Sequence, residues 1–504
     1  MDERRPIGDF DEFLEQSLPE QPPEEVVQET TPWRRAMNRI LIGTALQSIT
    51  LQFLGLQYLL PGLGQLLLLL GYRTLRRENG WFRFSWIATI LRGLIYFASF
   101  TLNATIYAES AFAETAYPVM TVCNVLLQFS LYIALWGGIR DIQRRAGVEV
   151  RAGSALGLVV FYALICLLAL AGYSGWFFTL ILLAVYIKIL FSLRKLSRTL
   201  DEAGYTVTAS QVRLSDRAFS LLLLGLLAAA IACGYLFCSR YPMDWTPRQE
   251  TGGAAVEAVR DRLTDLGFPE DVLADLSDAD VLLCENAVRV EQSSSLYAMN
   301  DGRAVTEERD GVIHHYRVYD TEELEITHVA VEIQGERERW RIFHHFRWVE
   351  EPNLFGTEAI QLPYITQLNE GWIWDRDLSG RVLCEMDGET YTAPYYFLGT
   401  KSYTNQSIFW GSQSRTAAYA AFSLPRQAEN RRGYVCYTIA ENVDGYLIDC
   451  WVNYIHQDSW LQYPVTGAAS PNRSGAFCLA QTALQFYPNE DAVEGSYTVT
   501  ASQP

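Results

Sequence analysis

The sequence predicts an α-helical membrane bundle of six or seven spans, then a short helical segment, then a mostly-β domain of sandwich or jelly-roll type. Three observations predict it. Apolar runs long enough to cross a bilayer recur as far as residue 238 and none follows. From about Val312 the apolar period changes from that of a helix to two. Charge divides at the same place. Residues 1–238 carry 20 Lys+Arg against 18 Asp+Glu, and residues 239–504 carry 20 against 40, so the whole net charge of −18 comes from the second part.

Residues 1–38 are expected to be a disordered acidic cytoplasmic tail. They hold Pro19, Pro22, Pro23 and Pro32 and no apolar core before Ile40, so no cleavable signal peptide is expected. The bundle is expected over residues 39–239. A span needs about 20 apolar residues, and 85–102, 118–139, 154–172, 176–193 and 218–238 qualify. The stretch 40–72 is too long for one ordinary span and just long enough for two short ones, with Pro61-Gly62 marking a turn. Arg34, Arg35 and Arg39 precede it, and Arg73, Arg76, Arg77 and Arg83 follow. Basic residues flank spans on the cytoplasmic side, so both ends lie inside and the stretch reads as a hairpin. The alternative is one long kinked helix. The other loops agree. Residues 103–117 lack Lys and Arg and read as outside, as does the turn 172–175. Arg140, Arg144, Arg145 and Arg151 read as inside, and so do Lys188, Arg194, Lys195, Arg198, Arg213 and Arg217. Seven spans put the N-terminus in the cytoplasm and the C-terminal domain outside.

Inside the spans, Arg92 is the best candidate for an intramembrane functional charge. It lies roughly 13 Å along a helix from Arg83 at about 1.5 Å per residue, so snorkelling toward the inner interface competes with that reading. Gln47, Gln52 and Gln57 recur every five residues, a net rotation of about 140°, so they do not share a face and give no polar conduit.

The inner loop reads Leu193-Arg194-Lys195-Leu196-Ser197-Arg198-Thr199-Leu200-Asp201-Glu202-Ala203-Gly204-Tyr205, followed by Arg213-Leu214-Ser215-Asp216-Arg217. Over some thirty residues it resembles a segment of uncharacterised bacterial polytopic membrane proteins that carry a C-terminal extracytoplasmic domain. The resemblance implies a bacterial cytoplasmic membrane and a multi-pass chain, and it implies no activity.

Residues 240–300 are expected to form a helical stalk or cap. Val256, Val259, Leu263 and Leu266 share one helix face, Gly267-Phe268-Pro269 ends that helix, and Ser277 with Asp280 resembles a capping box. Residues 301–504 are expected to be β-rich. The stretches 312–319, 324–333 and 339–349 alternate and read as a meander. Hairpins are expected at 373–384, at 382–391 around Asp387-Gly388, and at 434–454 around Asp444-Gly445. About ten strands at this spacing suggest a sandwich or jelly roll, with a barrel as alternative.

Four candidate sites lie in this part. Asp375, Asp377, Ser379 and Gly380 have the alternating oxygens and the glycine of a calcium loop, although Met386 stands where an EF-hand has its glutamate. A plain polar turn is the competing reading. His315, His328 and His345 fall on one face of the expected meander, where three imidazoles could hold zinc with an open position; half-exposed polar histidines are the alternative. Trp372, Trp374, Trp410, Trp451 and Trp460 are ligand-stacking candidates, against the plainer reading that most fill a core. Cys436 and Cys450 would face each other across the 434–454 hairpin, as a disulfide or as buried thiols.

A strongly acidic outer domain repels nucleic acid and suits cations, neutral glycans or basic partners. The sequence contains no Gly-x-Ser-x-Gly elbow, no His-Glu-x-x-His helix and no phosphate loop. The expected function is therefore membrane-anchored binding or sensing, with the lipid bilayer and a cell-wall glycan or a membrane protein as partners. A transporter or transport-associated subunit is the alternative, followed by an ectoenzyme on a β-scaffold.

Overall fold

The computed structural model describes residues 32–48, 56–172, 176–207, 214–249, 252–300, 302–309, 312–318, 321, 323–365, 368–407, 411–470 and 476–488. The chain forms two compact units, one of residues 1–101 and 112–231, the other of 102–111 and 232–504.

The first unit is helical. Its elements are α1 (Pro32–Ser48), α2 (Leu56–Leu75), α3 (Gly80–Leu102), α4 (Ala111–Arg145), α5 (Gly153–Leu170), α6 (Trp176–Glu202) and α7 (Asp216–Phe237). Among the described residues four helices are long and apolar enough to cross a membrane, namely α3, α4 from Phe112 on, α5 and α7. Leu94, Leu126, Val160, Leu167 and Leu221 stand outward on them, as expected where the solvent is lipid rather than water. The stretch 40–72 is a pair of helices. Gly43 of α1 and Gly64 of α2 let the two backbones meet, since a Cβ on either would come 2.7 Å from the other's carbonyl oxygen. The Pro-Gly pair does not mark the turn between them. Pro61 sits inside α2, where it removes one backbone hydrogen bond near the helix start.

The second unit is a β-sandwich with a helical cap. The larger sheet contains β1 (Thr246–Pro247), β2 (Ala287–Tyr297), β5 (Leu324–Ile333), β6 (Arg339–Trp348), β8 (Trp372–Trp374), β9 (Ser379–Met386), β10 (Glu389–Ala393) and β13 (Glu429–Glu441). They run in the order β1-β10-β9-β13-β6-β5-β2, with β8 also on β13. The smaller sheet has the order β11-β12-β7-β14-β15, from β7 (Glu358–Leu362), β11 (Phe397–Ser407), β12 (Gly411–Phe422), β14 (Ile448–Gln457) and β15 (Phe477–Phe486). All pairings are antiparallel. Between the sheets lie Ile326, Ile342, Phe346, Val435 and Ile439 from one side and Ile360, Phe422, Val452 and Leu484 from the other.

Both outer faces are covered as well. Helices α8 (Ala254–Asp265), α9 (Glu270–Asp275) and α10 (Asp278–Leu282) bury Val259, Leu263, Val272 and Val281 against Val329, Val331 and Phe343 of the larger sheet. They therefore form a cap, and Ser277 caps α10 by accepting the Asp280 N–H at 3.1 Å. On the smaller sheet, Tyr419, Ala421 and Ile455 pack with Ile106, Tyr241 and Val465.

Three expectations about strand pairing are overturned. Among the described residues the stretch 312–318 pairs with β3 (Arg303–Arg309), as β4 (Val312–Val318) of a separate ribbon, and takes no place in the meander. The stretch 373–384 is no hairpin, because β8 and β9 both pair with β13. The stretch 434–454 is no hairpin either, since β13 and β14 belong to different sheets. The hairpin at Asp387-Gly388 does form. Both residues have positive φ, 53° and 79°, as a type I′ turn requires, and Met386 pairs with Glu389.

Candidate functional site

The sequence-selected residues do not converge on one site. Asp375, Asp377 and Ser379 are engaged by arginines rather than left open for calcium. Asp375 pairs with Arg339. The Asp377 carboxylate accepts from Arg341 Nη1 at 2.7 Å, from the Thr438 N–H at 2.8 Å and from the Thr438 hydroxyl at 2.7 Å. Ser379 donates to Asp280 at 2.6 Å. Gly380 serves close packing. Its φ is 145°, and a Cβ there would overlap the carbonyl oxygen of Tyr434 on β13.

The three histidines are separated. His315 is on the β3–β4 ribbon, exposed, 3.0 Å from the Thr306 hydroxyl. His328 faces the sandwich core, directly across from His344 in the β5–β6 register. His345 points to the other face, where its Nε2 meets Asp275 at 2.9 Å. The reason is burial of both faces of β5, so apolar alternation does not tell inside from outside there. Among the described residues no group of three or more His, Cys, Asp or Glu is placed to hold a metal ion.

Of the tryptophans, Trp372 is in the core at 4% exposure, Trp374 packs against that core, and Trp451 is half-buried. Trp410 lies outside the described residues. Trp460 is 66% exposed and meets Tyr235, in the last turn of α7, edge-on at 6.4 Å. Leu461, Leu236 and Phe237 are exposed too. An indole beside the end of an apolar helix suits the headgroup level of a bilayer as well as it suits a sugar. Cys436 and Cys450 are free and buried. Cys436 faces the cap and Cys450 the inter-sheet core, and burial pushes both thiols up, Cys450 to about 12.

The sequence reading missed three polar clusters. The first clamps the cap to the sheet. Arg341, 2% exposed, gives Nη2 to Asp280 at 2.9 Å and Nη1 to Asp377 at 2.7 Å. Tyr434 and Ser277 donate to the same Asp280 at 2.6 and 2.7 Å. Burial works against the Asp280 carboxylate, but these donors and Arg341 outweigh it and hold the group below the usual range. Asp275 is likewise held low, against burial, by His345 and Arg432.

The second cluster joins the sheets. His328 Nδ1 lies 2.7 Å from His344 Nδ1, His328 Nε2 lies 3.1 Å from the Thr482 hydroxyl, and His344 Nε2 lies 3.2 Å from the Tyr437 hydroxyl. Burial lowers His328 to about 4 and His344 well below its ordinary value. Nearby, His456 Nδ1 meets Glu358 at 2.7 Å, both fully buried.

The third cluster is in the bundle. Arg92 is 8% exposed and gives Nε to Asn124 Oδ1 and Nη1 to Gln47 Oε1, both at 2.9 Å. Gln47 donates to Gln65 at 2.6 Å, and Gln65 to the Thr89 carbonyl at 2.5 Å. Arg92 thus turns inward to α1 and α4 and does not snorkel. Gln47 joins a polar interior assembled from four helices, which the spacing of glutamines along one segment did not reveal.

The chain matches no family model, no curated protein and no solved structure.

Proposed function

We propose that the protein is a multi-pass membrane receptor of a bacterial cytoplasmic membrane, with its sandwich outside the cell and binding a ligand there. The observation that carries this reading is that the sandwich takes in chain from two places. One is everything after residue 232, and the other is residues 102–111, between α3 and α4. Ile106 is buried in the cluster on the smaller sheet, and its N–H donates to the Cys238 carbonyl at 2.9 Å. The Val465 N–H donates to the Asn103 carbonyl at 2.7 Å. A passive anchor needs one tether. A second gives a change in the sandwich a direct route into α3 and α4.

The same observation supports seven crossings. If residues 102–111 and the end of α7 share one side of a bilayer, the helices α4 to α7 must cross an even number of times, so α6 crosses with the three apolar ones. Paired α1 and α2 then supply the first two crossings. The Lys- and Arg-free stretch 103–117 and the basic residues 194, 195 and 198 favour a sandwich outside.

Cell-wall glycan is the ligand class to test first. A notch at one end of the sandwich is lined by Glu338, Trp372, Glu441, Asp444, Tyr446 and Tyr487. Carboxylates and aromatic rims together suit hydroxyl-rich or cationic groups. The test uses the whole chain in detergent, because Ile106 and Tyr241 cover part of the sandwich. We expect saturable binding to isolated wall glycan, weakened by Tyr446→Ala, and a reporter fused after Pro504 outside the cell. A cytoplasmic reporter sinks the reading. Transport is the second reading, and the inward-facing Arg92 favours it.

A further inference from the structure

Every carboxylate of the helical unit among the described residues sits at or beyond a helix end. Glu78 and Glu149 are in loops, Glu114 and Asp216 in first turns, and Asp141, Asp201 and Glu202 near last turns. Several are already engaged. Asp216 meets Arg39 at 2.7 Å and Arg73 at 3.7 Å, Asp141 meets Arg145 at 2.8 Å, and Glu78 accepts from Tyr205. Among the described residues of the helical unit, Arg92 is the buried mid-helix charge whose partners, the amide oxygens of Gln47 and Asn124, include no carboxylate; Lys188, in the middle of α6, is exposed. Amide oxygens solvate a guanidinium without neutralising it. A buried charge left in that state is costly unless a counter-charge completes the site.

We propose that Arg92, held in place by Gln47 and Asn124, is the recognition point for the oxyanion of a small carboxylate- or phosphate-bearing solute inside the bundle. A guanidinium presents several donors in a planar fork matched to such groups. Depth decides the source of the anion. Arg92 is twelve residues from Gly80 and ten from Leu102, roughly 18 and 15 Å along α3 at about 1.5 Å per residue. That is near the middle of a hydrocarbon layer of about 30 Å, beyond the reach of a phospholipid headgroup at the surface. The orientation of the fork is set through a relay, since Gln47 is itself fixed by Gln65, which donates to the Thr89 carbonyl one turn before Arg92.

The experiment is thermal unfolding of the full chain in neutral detergent, titrated with sodium phosphate and with sodium acetate against sodium chloride at matched ionic strength. Arg92→Gln keeps a hydrogen-bonding side chain and removes the charge. Arg92→Lys keeps the charge and covers the case in which the glutamine variant does not fold. We expect a saturable rise in melting temperature of the native chain with at least one oxyanion. Its midpoint should weaken at least tenfold in Arg92→Gln and less in Arg92→Lys. Equal shifts in native and Arg92→Gln protein, or no shift beyond chloride, overturn the proposal. A shift seen only in nanodiscs containing phosphatidylglycerol, and not with soluble anions, overturns it in favour of a lipid headgroup. Glycan binding by the same preparations is read separately, so the receptor reading and this one fail independently.

Discussion

In the sandwich, Arg341 lies between Asp280 and Asp377, and Asp275 lies between His345 and Arg432. In the bundle, Arg92 meets only amide oxygens among the described residues. The contrast separates two uses of buried charge. A charge answered by the fold holds elements together, here the cap against the larger sheet, and breaking the pair leaves an uncompensated partner. A charge answered only by neutral groups is solvated without being neutralised. The first kind is a stability element and the second a candidate for work.

The sharpest way to break this comparison is Arg341→Ala. It strips Asp280, 5% exposed, of its cation, and a loss of about 3–5 kcal/mol is expected. Urea unfolding of the solubilised chain, followed by tryptophan fluorescence, measures it. A loss below about 1 kcal/mol would mean that the hydroxyls of Ser277, Ser379 and Tyr434 suffice and that the pair is incidental.

Acid gives the next effect. His328 and His344 are neutral in the folded chain, with His328 lowered to about 4. The unfolded chain takes up these protons from about pH 6.5 downward, so their contribution is present above that pH and drains as pH falls toward 4. His328 accounts for about 3 kcal/mol of that loss. The Asp275 and Asp280 contributions persist through that window and go only below the ordinary aspartate range. His328→Leu should flatten the melting profile between pH 6.5 and 4. An unchanged slope would place the acid sensitivity elsewhere.

A smaller effect, about 1 kcal/mol, is expected for Gly388→Ala, because φ is 79° in the type I′ turn. Chemical denaturation checks it. Smallest is Trp460→Ala, within about 0.5 kcal/mol of the native chain since the ring is exposed. A large destabilisation there would show that the contact with Tyr235 matters to the fold.

The two Asp-Gly pairs show what was legible in the sequence. At 387–388 both residues take positive φ and the flanking strands pair. At 444–445 only Gly445 does, with φ 85°, and the chain passes between sheets. The dipeptide is the same, and the destination of the next strand decides the turn. The zinc set failed for a related reason. The cap covers the outer face of β5, so Thr327, Val329 and Val331 are as buried as Ile326, His328 and Ala330, and alternation carries no sign of which side is in. Asp375 and Asp377 resembled a calcium loop because local spacing does not reveal that Arg339 and Arg341 occupy their oxygens.

The sequence by itself determined the division into an apolar helical part and an acidic β-rich part, the limits of β5 and β6, the Ser277 cap and the Asp387-Gly388 turn. Each rests on residues within one or two turns of each other, where period and side-chain chemistry act directly. Only the tertiary structure decided that Arg341 meets residues 61 and 36 positions away, Asp280 and Asp377, and that Arg92 meets Gln47, 45 positions back. Contacts at such separations are selected by packing of whole faces, and no local pattern encodes them.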